Sequence, residues 1–172
     1  FLLIFFLSSI LLCGCGRETV AAQVAATTLP VYEFTVALCE GTPITVTRLV
    51  TEEGSCLHDY SLNVRQVKAA EAAELVVISG AGLEEFLDDL LINKTVIDAS
   101  EGAALLCPEE ETEHHGHGHE GHHHVTDPHL WLSPEMARVM VSNIYNGLSN
   151  QYPEYIDTFV KNEALLMEQL AE

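Results

Sequence analysis

The 172-residue chain carries 26 Asp+Glu against seven Lys+Arg, a formal charge of −19, and is 48% hydrophobic. That length suits one ordinary α/β domain with its own core and is short for two. The charge repels nucleic-acid phosphates and anionic substrates, which excludes nucleic-acid binding and favours cations as ligands.

Residues 1–12 are apolar apart from two serines. A membrane span needs roughly 20 such residues and the apolar core of an export signal about 7 to 15, so an export signal is expected. No initiator Met and no basic stretch precede it, so 1–14 reads as a signal peptide that lacks its first residues. Leu12-Cys13-Gly14-Cys15 resembles a bacterial lipobox, in which small Gly14 precedes the lipid-modified Cys15. Two acyl chains on Cys15 would anchor the protein on the outer face of a membrane. Cys39, Cys56 and Cys107 remain, an odd number in a disulfide-permissive compartment, and no CxxC spacing offers a zinc-thiolate site.

A polar tether over 17–21 leads into an apolar strand over 24–28, ended by Leu29-Pro30. Val31, Phe34, Ala37 and Leu38 have helical spacing and predict a helix over 31–38. Gly41-Thr42-Pro43 stops it, and 44–50 alternates apolar with polar as a half-buried strand does. A loop over 51–60 carries His58. Asn63 and Gln66 form a capping-box pattern that starts a helix running to Ala73. The run 75–78 is apolar throughout, as fully buried parallel strands are. A turn over 79–82 leads to a helix over 83–91, and 95–98 makes a fourth strand. Strands alternating with helices predict a four-stranded parallel sheet flanked by helices, with right-handed crossovers. Cys56 and Cys107 both follow strands at one predicted sheet edge, which favours that disulfide over pairs with Cys39.

Residues 100–126 show almost no periodicity, and so long a connection is usually functional or disordered. Then Ser133-Pro134-Glu135 opens a helix as N-cap, first-turn proline and dipole-facing acid. Ala137, Met140, Val141, Ile144 and Leu148 form its apolar stripe, and it ends near Asn150. Pro153-Glu154 begins another helix, with Ile156, Phe159, Val160, Leu166 and Leu170 on one side. It is still running at Glu172, which predicts that the protein continues.

The strongest chemical signal is histidine. His114, His115, His117, His119, His122, His123 and His124 lie among Gly and Glu in a loop over 109–126. Neutral imidazole suits zinc, copper or nickel, and glycine lets a chain fold donors around an ion. The irregular spacing offers many alternative ligand sets, so modest affinity and poor selectivity are expected. A purification tag would not be internal and interspersed with Gly and Glu.

His58 and His129 are different: each sits at a junction between a loop and a helix, and ligands of open parallel sheets gather beyond the carboxyl ends of the strands. The bland reading of each is a solvated loop histidine. Asp127 is either an orienting partner for His129 or a helix-entry residue. Two histidines and a carboxylate on a metal with an open position would also serve a hydrolase. No HExxH, GxSxG, P-loop or GxGxxG is present, and Gly80-Ala81-Gly82 reads as a turn.

Together these stretches resemble a known family. The lipobox, Thr27-Thr28-Leu29-Pro30, Leu-His-Asp-Tyr-Ser-Leu over 57–62, Ala-Glu-Leu-Val-Val-Ile-Ser-Gly-Ala-Gly-Leu-Glu over 73–84, the His-rich loop and Pro-His-Leu-Trp-Leu-Ser-Pro-Glu over 128–135 are similar to the zinc-binding solute-binding proteins of metal ABC transporters. The resemblance covers essentially the whole chain. It implies two α/β lobes joined by a long helix, with the metal in the cleft between them. The chain would then be the N-terminal lobe over 15–152 and the start of the inter-lobe helix over 153–172, with the second lobe outside the sequence.

On this resemblance His58 and His129 are the N-lobe metal ligands, and the His-rich loop is a secondary collector of zinc. Many zinc members carry an acid just before the first histidine; Leu57 stands there, so water or a second-lobe acid would complete the shell. Asp59 reads as a partner orienting His58, Trp131 as cleft-wall packing, and Glu84 and Glu85 as acids favouring a helix dipole. The implied protein is a monomeric, lipid-anchored extracytoplasmic receptor, not an enzyme, that captures Zn²⁺ for a membrane permease. A manganese-type receptor and an extracellular metal buffer acting through the His-rich loop are the alternatives. Manganese prefers oxygen-rich sites, which favours zinc. Capture by neutral imidazoles weakens as pH falls below about 6.5.

Overall fold

Four successive apolar residues, Leu75–Ile78, make a strand that needs cover on both faces. In the computed structural model, which describes residues 23–51, 60–105 and 127–171, this strand is β3. It lies between β1 (Val24–Ala26) and β4 (Thr95–Asp98), and β2 (Val46–Arg48) lies outside β1. All pairings are parallel in the order β2-β1-β3-β4, with Val24 opposite both Val46 and Leu75, and Leu75 opposite Thr95. The expected four-stranded parallel sheet flanked by helices is the observed fold.

Side chains alternate across a strand, so each strand feeds two cores. Val24, Ala26, Leu75, Val77 and Ile97 face α1 (Leu29–Cys39), α4 (Pro134–Gln151) and α5 (Ile156–Gln169). Ala25 and Val76 pack on the other side with α2 (Val64–Ala72) and α3 (Asp88–Leu91). The whole predicted stripe of α4, from Ala137 to Leu148, is buried. Gly147 lets this helix lie directly on β4, because a Cβ there would collide with the Ile97 side chain.

Side-chain amides fasten the segments around the strand ends. Asn63 Oδ1 accepts from the N–H groups of Arg65 and Gln66 at 3.0 and 3.1 Å, and Gln66 Oε1 accepts from Asn63 N–H at 2.8 Å, so the capping box forms. Gln66 Nε2 also donates to the Leu49 carbonyl at 2.8 Å and to the Tyr60 hydroxyl at 2.6 Å. One buried amide thus holds both stems of the connection that contains His58. Asn143 Nδ2 does the same after β4, donating to the carbonyls of Ala99 and Glu101 at 2.9 and 2.8 Å.

Several boundaries differ from expectation. The helix α1 starts at Leu29 and not at 31, because Pro30 fits a first turn, where its missing N–H costs nothing. The strand over 44–50 is reduced to Val46–Arg48. The helix expected over 83–91 is a 3₁₀ turn, Glu85–Leu87, followed by the single turn of α3. Gly80, Ala81 and Gly82 all have positive φ, +81°, +54° and +78°, so the chain cannot become helical until it has left them. The last helix opens as a 3₁₀ turn, Pro153–Tyr155, and α5 ends at Gln169. Of its predicted stripe only Phe159 is buried.

Cys39 is a free thiol in the core beside α4 and α5, and burial pushes it up to about 12. The thiolate is the reactive form, so a rise from 9.0 to about 12 lowers its population near neutrality by roughly a thousandfold. Alkylation of Cys39 in the folded protein is expected to be at least 100-fold slower than in urea, read by peptide mass mapping after timed iodoacetamide treatment. Comparable rates would show that the thiol is not buried. Cys56 and Cys107 lie outside the described residues, as do Cys15 and the leader.

Candidate metal site

Because β1 connects outward to β2 while β3 connects the other way to β4, the strand order reverses between β1 and β3. Ligands of open α/β sheets bind beyond the carboxyl ends at that point. The connections after β2 and β4 contain His58 and His129, and these two strands are the outermost pair, roughly 14 Å apart at about 4.8 Å per strand spacing. A shared ligand must therefore be reached inward from both sides of the sheet.

His129 is placed by its neighbours. Pro128 and Leu130 are buried, and Leu130–Leu132 forms a 3₁₀ turn with Leu132 N–H donating to the His129 carbonyl at 3.1 Å. Ser133 then caps α4, accepting from Met136 N–H at 3.4 Å. Between two anchored apolar residues the His129 side chain is turned outward and is 51% exposed.

Asp127 controls the ring. Its Oδ1 accepts from the His129 backbone N–H at 3.0 Å and lies 2.7 Å from His129 Nδ1. The backbone N–H first, and the ring second, hold the Asp127 carboxyl below the usual carboxylate range. An ionised carboxylate can only accept, so it pairs with the tautomer that carries the proton on Nδ1, which leaves the Nε2 lone pair free. The Trp131 ring meets His129 edge-on, 5.2 Å between centroids at 66°. Asp127, His129, Leu132, Met136 and Ala104 line a shallow depression of about 200 Å³. A larger groove of about 700 Å³ lies at the amino end of β2, between Tyr32 and Val46, with no histidine among the described residues of its wall.

Among the described residues no three His, Cys, Asp or Glu side chains gather as a metal centre. His129 supplies one borderline-soft nitrogen with an oriented second nitrogen, a donor fit for zinc but an incomplete set. His58, Asp59 and the collector histidines His114, His115, His117, His119, His122, His123 and His124 lie outside the described residues.

Glu84 stands at a helix start as expected, as the N-cap residue of Glu85–Leu87, but its side chain makes no capping hydrogen bond there and is 4% exposed at the strand-order reversal. Its carboxylate accepts from the Thr27 hydroxyl at 2.6 Å and from the N–H groups of Ser79 and Gly80 at 2.7 and 3.0 Å. Burial pushes the carboxyl up, against the pull of these donors. Gly80 in turn lets Asp98 and Ser100 close in on its other side, since a Cβ there would strike both. The legible signal was Gly-Ala-Gly before an acid, which lets successive N–H groups turn toward one anion.

Comparison with known proteins agrees with this picture. Residues 24–172 match the family described as zinc-uptake complex component A, periplasmic. The zinc-binding lipoprotein AdcA of Streptococcus pneumoniae serotype 4 is 35% identical over 98% of this chain, which covers 35% of that protein. The crystal structure of Zn(II)-bound AdcA from S. pneumoniae superposes with a TM-score of 0.68 at 32% identity, over 86% of this chain and 30% of that one. The Zn(II)-bound ZnuA-like domain of the same protein gives a TM-score of 0.69 at 31% identity, over 86% of this chain and 51% of the domain. The chain spans about a third of the length of the curated relatives it matches. It belongs to the zinc-uptake complex component A family of solute-binding proteins.

Proposed function

We propose that this chain is the metal-capturing N-terminal lobe of an extracytoplasmic receptor that binds Zn²⁺ and passes it to the membrane permease of an ABC transporter. The observation that carries the reading is the outward His129 imidazole held through Nδ1 by Asp127 at 2.7 Å, at the carboxyl ends of the strands. His58, oriented by Asp59, is the second ligand. A second lobe joined through α5 completes the shell, and the metal is cargo that undergoes no covalent chemistry. The net charge of −19 raises the local concentration of cations. Cys15, by analogy with relatives named lipoproteins, holds the receptor on the membrane as a monomer. His114 to His124 exchange ions loosely and feed the cleft.

Competition titration of the full-length protein with a zinc chelator, with manganese in parallel, tests this. Zinc is expected to bind far more tightly than manganese, and deletion of 114–124 to remove weak equivalents while keeping the tight one. Tighter manganese binding would favour a manganese receptor. Loss of the tight step on deletion of the loop would favour the metal buffer.

A further inference from the structure

A continuous hydrogen-bonded path crosses the carboxyl ends of all four strands, and one carboxylate sits at its centre. At the β2 end, Val50 N–H donates to the Thr27 carbonyl at 2.9 Å. The Thr27 hydroxyl, just beyond β1, donates to Glu84 Oε1 at 2.6 Å. The same carboxylate takes the N–H groups of Ser79 and Gly80, just beyond β3. Ala81 N–H then donates to Ser100 Oγ at 2.9 Å, and that hydroxyl donates to Asp98 Oδ1 at 2.7 Å, at the end of β4. Ser100 starts the turn that accepts Ala103 N–H at 2.9 Å and brings Ala104 against the His129 depression.

The path begins at the stem of one histidine-bearing connection and ends at the stem of the other. A fixed separation between two ligands from opposite sides of a sheet requires that their stems cannot move independently. Backbone ladder bonds carry this coupling only a residue or two past the strands, through Thr27 N–H to the Val77 carbonyl and Ala99 N–H to the Ile78 carbonyl at 3.0 Å each, and beyond them side chains take over. We infer that Glu84 is a positioning residue of the metal site: its carboxylate locks the ends of the two central strands and so sets the distance across which the two outer connections present their ligands. This rests on the reading of His58 and His129 as ligands.

Glutamine cannot replace the carboxylate. Its oxygen would still serve Ser79 and Thr27, but its NH₂ would face the Gly80 N–H, donor against donor. The experiment compares zinc competition titrations and Co²⁺ absorption spectra of full-length wild type, Glu84→Gln, His129→Ala and Leu148→Ala. Leu148 is buried near the far end of α4 and is outside the path, so its truncation destabilises without touching the strand ends.

Glu84→Gln, with its fold checked by circular dichroism, is expected to raise the zinc Kd by about tenfold or more, as loss of outer-shell support does, and to shift the Co²⁺ bands. Leu148→Ala is expected to keep both near wild type, which separates positioning from general stability. Unchanged affinity and spectrum in Glu84→Gln, with tight binding lost in His129→Ala, would overturn the inference and leave the metal site standing. Wild-type affinity in His129→Ala would overturn both. Should Glu84→Gln fail to fold, Thr27→Val decides: it removes only the hydroxyl donor, and an unchanged Kd and spectrum there would sink the inference.

Discussion

His129→Ala is expected to weaken zinc binding to the full-length protein by more than about 100-fold, or about 2.7 kcal/mol. Loss of an outer partner of a metal ligand typically costs about 10- to 100-fold, and loss of the donor must cost more. Asp127→Asn supplies the graded comparison. Asparagine oxygen still accepts from the His129 backbone N–H, and only the charge that keeps Nδ1 protonated is gone, so a loss of about 10-fold is expected. Competition with a chelator of known affinity reads both. Trp131, the only tryptophan of this 172-residue chain, stands 5.2 Å from the His129 ring, so zinc should change its emission in wild type and not in His129→Ala. Equal losses in the two variants would mean that His129 acts only through its hydrogen bond to Asp127.

What was legible in the sequence was local. Ser133-Pro134-Glu135 specifies a helix start within three residues, and α4 begins where that pattern places it. Asn63 and Gln66 likewise close a box within one turn. The apolar runs at 24–26 and 75–78 specify buried strands by having no polar side to expose. Asp127 and His129 are two residues apart, so their contact also needs no tertiary information. Glu84 is the opposite case: its partner Thr27 is 57 residues away, and the Gly-Ala-Gly before it marks a turn without saying which distant group the side chain meets. The failed helix over 83–91 has the same origin, because the inward carboxylate and the positive φ angles before it require a turn where apolar spacing suggests a helix.

The expected apolar stripe of the last helix packs on the core at Phe159, Leu166 and Leu170 but is exposed at Ile156 and Val160, and its one fully buried residue yields the second large effect. Phe159→Ala is expected to destabilise the fold by about 3–5 kcal/mol, a substantial part of the 5–15 kcal/mol typical of a domain. Phe159 is fully buried, is the one buried residue of α5, and packs in the core shared with α1 and α4. The other ties of this helix are the half-buried Leu166 and Met167 against the same core and polar contacts nearer the surface: Asn162 Nδ2 donates to the carbonyls of Leu38 and Glu40 at 2.9 and 2.8 Å, and Ser142 Oγ donates to Glu163 at 3.3 Å. Ile156 and Val160 are 44% and 49% exposed, so Ile156→Ala and Val160→Ala are expected to cost less than about 1 kcal/mol. Urea unfolding of the three variants separates these values. If α5 joins two lobes, as proposed, its attachment to this one rests on one fully buried aromatic, two half-buried apolar residues and an amide tie. Hydrogen exchange in Phe159→Ala should then show α5 opening before α4, whose stripe has five buried residues. Simultaneous loss of protection in both helices would mean that the half-buried Leu166 and Met167 and the Asn162 tie hold α5 as firmly as Phe159 does.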